Sequence, residues 1–435
     1  MTLTDFIHDA HYDALPGSVQ HQLTRALADL LGAAIAGLKT PTSSIMGDFA
    51  QSVMPGQEAT IFGRGRVANA AGAALANACT ANALDIDDGF RPAKGHPGAV
   101  IIPATLAQAE AVGASGKEFL TAVLVGYEVG MRASVAWHSS QPMFSGSGSW
   151  GSLAAAAACS RLLGLDADHT MQALGIAQYH APYAEIMVSV EHPCMAKDGV
   201  HWGAFTGISA AQLARSGFTG IPSLLADAKH AALFAGLGQE WWIQRLYFKF
   251  YPCCRWAQPA VAGVLALRQQ HGLAADNVAT IRVEAFDAAT HLVTRRPRNT
   301  EEGQYSLPFP VACALVRGQV TPEETAGNGL RDQAILAMAE RVEMVVDPAL
   351  EARFPAEALE RVIITTKDGR TLAIGPLAAP GDAGSPPSDE DLWAKFFRLT
   401  TPLIGKQRAQ QVLSTIRRCD EIETIGELTE LLSRI

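Results

Sequence analysis

Alanine crowds the first half of this chain so densely that its helices can pack with their axes unusually close. The runs Ala68-Asn69-Ala70-Ala71-Gly72-Ala73-Ala74-Leu75-Ala76 and Leu153-Ala154-Ala155-Ala156-Ala157-Ala158 carry almost no side-chain bulk, and small side chains at a helix contact shorten the interaxial distance. Apolar residues recur at helical spacing from Ser18 to about Leu38, and the pattern returns at 66–84, 98–113, 117–137, 150–163, 168–178 and 203–216. The first half is therefore expected to be mostly helix.

The texture changes after Arg255. A helix over 257–271 leads into Val278–Phe286, where apolar and polar residues alternate as in a half-buried strand. Two apolar segments, 361–366 and 371–374, flank Lys367-Asp368-Gly369-Arg370, and Asp-Gly between such runs marks a hairpin. With 342–346 they are expected to form a small antiparallel sheet. Residues 375–387 are rich in Pro, Gly and Ala and read as a loop. Ser388 is then placed to cap a helix whose first turn holds Asp389, Glu390 and Asp391, where the helix dipole favours negative charge. Helices over 389–398, 404–418 and 424–433 end the chain. The fold class this implies is mainly α: a large helical domain over 1–268, completed by the helices of 400–435, and a smaller α+β domain over 269–399.

A chain of 435 residues exceeds what one hydrophobic core usually supports, and 48% hydrophobic against 18% charged residues is a globular balance. A net charge of −9 argues against nucleic acid, which calls for a basic stripe. The seven cysteines are scattered with no Cys-x-x-Cys pair, which suits a reducing cytoplasm rather than a disulfide framework or a zinc site. The N-terminal residues lack a basic region before an apolar run, so no signal peptide is expected. The apolar runs 27–38 and 119–131 are short and interrupted by Asp29 and Glu128, so no membrane span is expected either.

Chemistry concentrates in Asp85-Ile86-Asp87-Asp88-Gly89-Phe90-Arg91-Pro92-Ala93-Lys94-Gly95-His96. Three acids in four positions, followed closely by Arg91, Lys94 and His96, admit two readings. One is a capping cluster, with carboxylates on the backbone N–H groups of a turn and paired to the two bases. The other is a proton-transfer site. Other conspicuous residues have bland explanations. Cys253-Cys254 beside Arg255 reads as packing rather than as an activated nucleophile. His180, His192 and His201 lack the spacing of a metal site, and no metal is expected. Gly63-Arg64-Gly65 lacks the rest of a dinucleotide fingerprint. Trp241-Trp242 and 248–251 suit a domain junction better than base stacking.

The ordered set Ala73–Ala78, Leu84-Asp85-Ile86-Asp87-Asp88, Gly95-His96-Pro97-Gly98-Ala99, Gly148-Ser149-Trp150-Gly151, Lys197-Asp198-Gly199, Ser216-Gly217-Phe218-Thr219-Gly220 and Lys249-Phe250-Tyr251-Pro252-Cys253-Cys254 resembles the MmgE/PrpD family of 2-methylcitrate dehydratase-like proteins over nearly the whole chain. The resemblance implies a helical domain carrying the site, an α+β lid, a homodimer, and chemistry without metal, nucleotide or flavin. Activities of the family include dehydration of 2-methylcitrate, decarboxylation of cis-aconitate and epimerisation of iminodisuccinate, all of which move protons near a carboxylate. Carried over by position, the catalytic residues are Asp85, His96 and Lys197. Departures follow: Gly89 stands where decarboxylases have threonine, Ser145 and Gln258 where histidines are expected, and Phe309 where a tyrosine is.

Proton abstraction beside a carboxylate builds negative charge on it, so the site needs a base at carbon and cations at the oxygens. Lys197 and His96 are expected to be the acid/base pair, with Asp85 orienting or charging one of them. Arg91 is expected to clamp a substrate carboxylate, with Lys94, Ser145, Ser147, His201 and Arg255 as further substrate contacts. If Lys197 opens a helix, His201 lies one turn on. The expected function is that of a proton-transfer enzyme on a small di- or tricarboxylate, an epimerase or a lyase. A 2-methylcitrate dehydratase-like hydro-lyase and a catalytically retired dimeric binding protein are the alternatives.

Overall fold

The computed structural model describes residues 1–435 and holds two hydrophobic cores. The first is built from helices Gly17–Gly37, Ala70–Asn82, Pro97–Val112, Gly116–Ser140, Ser147–Leu162, Ala167–Tyr179 and Val200–Arg215. Ala70–Asn82 is buried at every position, as expected of a helix apolar all round. Close approach is literal where Ser147–Leu162 meets Val200–Arg215: a Cβ on Gly203 would lie 2.5 Å from the carbonyl oxygen of Gly148. Asn69 starts Ala70–Asn82 by accepting the N–H of Gly72 at 2.8 Å, and Ser115 and Glu118 form a capping box at the head of Gly116–Ser140.

The helix expected over 66–84 begins later. Residues 55–68 instead form a hairpin, β1 (Pro55–Ile61) and β2 (Gly65–Ala68), whose outer positions are polar and which a helical apolar spacing alone does not reveal. The apolar run 119–131 was expected to be too short for a membrane span, yet it belongs to a 25-residue helix that passes on length and apolarity. That helix is packed inside the protein, and its Glu128 and Arg132 are fully buried partners.

The second core lies around a four-stranded sheet in the order β4-β3-β5-β6, with β3 Val278–Ala285, β4 Val342–Val346, β5 Leu359–Thr366 and β6 Thr371–Ala378. The sheet is mixed rather than antiparallel. β4 runs parallel to β3, because the connection between them carries several helices, among them Pro308–Arg317, and is long enough for a crossover. The Asp368-Gly369 hairpin joins β5 to β6 with Thr365 opposite Thr371. Helix Gln258–His271 packs its Ala260, Val261 and Val264 into this second core.

After β6 the chain returns to the first core. Ser388 caps helix Asp389–Arg417 with Asp391 as its box partner, and the helix breaks at Gly405, where φ is 73°. Leu392, Phe396, Val412 and Leu428 all join the first core. On this returning helix Lys395, fully buried, donates to Asp29 Oδ1 at 2.5 Å and to the carbonyl of Ile86 at 2.7 Å. The C-terminal helix thus anchors the acidic segment from behind.

Candidate active site

The helix Ala70–Asn82 ends just before the acidic segment, whose acids divide: Asp85 and Asp87 turn to His96 and Asp88 turns away from it. Asp88 accepts the hydroxyl of Tyr127 at 2.6 Å and the N–H of Gly98 at 3.0 Å. It alone behaves as a cap, and burial pushes its carboxyl up to about 7. Asp87 faces His96, with Oδ2 at 3.0 Å from Nδ1, and accepts Asn82 Nδ2 at 3.0 Å. Burial opposes its ionisation, but His96, aided by Lys249 and Lys197, outweighs burial and holds the carboxyl at about 2. Asp85 contacts three cationic groups: Lys249 Nζ at 2.9 Å, His96 Nε2 at 3.4 Å and Lys197 Nζ at 3.8 Å. Burial would raise Asp85; Lys249, Lys197 and His96 together take it below its ordinary value.

His96 is 7% exposed, and its pKa is raised. Burial and Lys249 disfavour the imidazolium, and Asp87 and Asp85 more than offset them. Its backbone N–H donates to Ser147 Oγ at 2.8 Å, and Ser147 donates on to Asp198 Oδ2 at 3.2 Å. Asp198 also accepts Tyr305 Oη at 2.9 Å and lies 3.9 Å from His96 Nε2.

Asp85, Lys94 and Lys197 are the non-glycine residues with left-handed backbone, at φ 53°, 52° and 43°. Each such conformation costs roughly 1–3 kcal/mol and persists only where the surroundings over-determine it. All three were picked out from the sequence as site residues.

A cavity of about 90 Å³ opens beside His96. Its lining holds the linked groups Asp85, His96, Asp198 and Tyr305, the cations Arg91, Lys94 and Arg255, the acid Asp382, and Tyr247 and Cys254 among mostly apolar neighbours. Arg255 stacks over the ring of Tyr247 at 4.2 Å, and Lys94 over Phe144 at 4.4 Å. Burial raises Tyr247 and Cys254 to about 12, so both stay protonated.

Three expected substrate contacts do not reach this cavity. The hydroxyl of Ser145 accepts Trp137 Nε1 at 3.1 Å, and Ser147 is occupied by His96 and Asp198. His201 is buried, with burial and Lys197 lowering its pKa to about 4. It does not share a helical face with Lys197, which sits in a turn before Val200–Arg215. Lys197 itself stands behind Asp85 and away from the cavity, donating to the carbonyl of Asn82 and to Gln304 Oε1 at 3.1 Å.

The departures have physical explanations. A Cβ on Gly89 would lie 2.1 Å from Tyr247 Cζ, so the ring occupies the space a threonine side chain would need. Gln258 donates to the carbonyls of Tyr251 and Cys253 at 2.9 and 3.2 Å, holding a turn. Phe309 is fully buried in the second core. Lys249, Asp198, Tyr305 and Tyr247 were not picked out as site residues. The one available signal was for Lys249, a lone ammonium in the apolar run Leu246–Pro252. Asp85, Asp87 and His96 bring possible metal-ligand atoms within 4.8 Å of one another. The Lys249 ammonium, 2.9 Å from Asp85, already places positive charge there.

A buried imidazole is thus held between carboxylates beside a small cavity whose lining includes two guanidinium groups. Residues 1–241 match the MmgE/PrpD N-terminal domain and residues 251–421 the MmgE/PrpD C-terminal domain, and the chain belongs to this family. Among its relatives, the cis-aconitate decarboxylase-like protein oryM of Aspergillus oryzae is 24% identical over 100% of this chain and 96% of its own length. The cis-aconitate decarboxylase of Homo sapiens is 26% identical over 98% and 92%. The mitochondrial 2-methylcitrate dehydratase of Yarrowia lipolytica is 25% identical over 51% and 46%.

Proposed function

We propose that the protein is a cofactor-independent lyase of a small di- or tricarboxylate, of the carbon–oxygen (dehydratase) type. The observation that carries this reading is the single connected network of the acid/base groups. Asp85, Asp87, His96, Asp198 and Tyr305 form one connected cluster, and Arg91 and Arg255 are placed to hold carboxylates. His96, kept protonated by Asp87 and Asp85, gives its proton to the departing hydroxyl. The carbon beside the clamped carboxylate loses its own proton to the same cluster, so water and a double bond result. Lys197 and Lys249 hold Asp85 ionised behind the imidazole and keep the cluster charged. Decarboxylation, the activity named for several relatives, is not carried over, because Gly89, Ser145, Gln258 and Phe309 replace residues of the decarboxylase pattern.

One observation favours a second reading. Lys94 lines the cavity outside the cluster, and burial lowers its pKa. A second base outside that cluster is what epimerisation of a dicarboxylate requires.

The test is incubation in deuterated water with 2-methylcitrate, citrate, malate and cis-aconitate. A new double bond or its hydration supports the lyase. Isotope exchange without either, lost in Lys94→Met, replaces it with the epimerase. Carbon dioxide release would overturn both. The exposed aromatic side chains Tyr183, at 81%, and Phe218, at 51%, with Tyr179 and Trp202, support the homodimer, which sedimentation measures. The seven free thiols support a cytoplasmic location.

A further inference from the structure

Two cavities meet at one ion pair. Outside the 90 Å³ cavity lies a vestibule of about 1020 Å³, and Arg91, Tyr247, Ala379 and Asp382 line both. Asp382 comes from the loop that follows β6, Ala379-Pro380-Gly381-Asp382-Ala383-Gly384-Ser385-Pro386-Pro387. Its Oδ2 is bound by Arg91 Nη2 and lies 3.5 Å from Arg255 Nη2. Arg91 is also held from outside this loop, donating to the carbonyl of Ala356 at 3.0 Å, whereas Arg255 donates at 3.0 Å to the carbonyl of Pro380, two residues before Asp382 in the loop itself. Asp382 is therefore a carboxylate, supplied by the chain itself, seated on the two arginines that face the cavity.

From this geometry we infer that Asp382 is an internal surrogate for a substrate carboxylate and closes the inner cavity until a substrate displaces it. The inference rests on the carboxylate reading above. Two guanidinium groups share one carboxylate, so one positive charge is left over where the two cavities meet, a local attraction for an anion. The incoming carboxylate replaces like with like, so neither of the half-buried arginines is left without a carboxylate partner. The Gly- and Pro-rich loop gives Asp382 a route outward. About 90 Å³ is smaller than the roughly 150 Å³ cavity that holds a benzene ring. A citrate-sized substrate therefore needs this opening.

The experiment is calorimetric titration of citrate and succinate into the full chain, its Asp382→Asn and Asp382→Ser variants, and the double variant Asp382→Asn with Arg91→Met. Removing the competitor should lower Kd by about tenfold in both single variants, and Arg91→Met should cancel the gain. Binding by the unaltered protein with an equal or higher Kd in the single variants overturns the inference alone. If none of the proteins binds either acid, the carboxylate reading falls and takes the inference with it. Unfolding temperatures of the variants, compared without ligand, show that the change in Kd belongs to folded protein.

Discussion

Lys249 Nζ lies 2.9 Å from Asp85 Oδ2, and both side chains are buried. The pair joins the acidic segment to a stretch of chain more than 160 residues later. Removing one partner of such a pair leaves an uncompensated buried charge, at a cost of about 3–5 kcal/mol. Lys249→Met should therefore lose about that much stability in a urea titration, and adding Asp85→Asn should restore part of it. Equal losses in the single and double variants would show that the pair is not coupled.

Asp88 makes stability depend on pH in a definite direction. Its folded pKa, about 7, is above the unfolded value, so the folded state holds this proton more tightly. The stability it supplies is full below about pH 4 and is lost as pH rises through 7. Asp88→Asn should flatten that decline, raising the urea midpoint at pH 8 relative to the unaltered protein by more than at pH 5.

Asp87 works the opposite way. With its carboxyl at about 2 in the fold, the stability it supplies is present above about pH 4 and is lost as pH falls toward 2. Its partner His96, with a raised pKa, supplies stability below the ordinary histidine range that is lost as pH climbs through the folded value. His96→Asn should lower activity by orders of magnitude and make the alkaline limb of the stability profile shallower, leaving the part that Asp88 supplies, read by thermal unfolding from pH 5 to 9.

Gly89→Thr should collide with Tyr247, whose Cζ lies 2.1 Å from the new Cβ. Overpacking of this kind costs about 1–3 kcal/mol or more. Tyr247→Ala in the same chain should recover most of it, and a double-mutant cycle measures the coupling.

Lys395→Met leaves Asp29 buried without its cation. Burial already raises Asp29 to about 6 with Lys395 present, so in the variant it folds as the neutral acid. Stability should be lost more heavily at pH 8 than at pH 5, as judged by denaturation midpoints.

The sequence pattern disclosed what local chemistry decides. Ser388 with Asp391, and Asp368-Gly369 between apolar runs, are local devices, and both are where their neighbours place them. Hairpin β1–β2 escaped because its apolar positions merge into the alanine run that follows. The parallel pairing of β4 with β3 escaped because strand direction depends on the intervening crossover. Within the site, Asp85 and His96 stood out through crowding of charge. Lys249, Tyr305 and Asp382 did not, because each becomes a site residue only through a partner far away in the chain. Lys197 was visible in a motif, yet nothing local shows that its ammonium turns away from the cavity to the carbonyl of Asn82.

Lys395 also bears on the order in which the molecule can be made. Its ammonium ties Asp29 to the Ile86 carbonyl, yet it leaves the ribosome about three hundred residues after Asp85, an interval of roughly 15–60 s at typical rates of synthesis. Throughout that time the acidic segment has neither this lysine nor Lys249 for its early part. Three carboxylates bound for a dry interior are first held in water, and the site closes around them only when the end of the chain comes back.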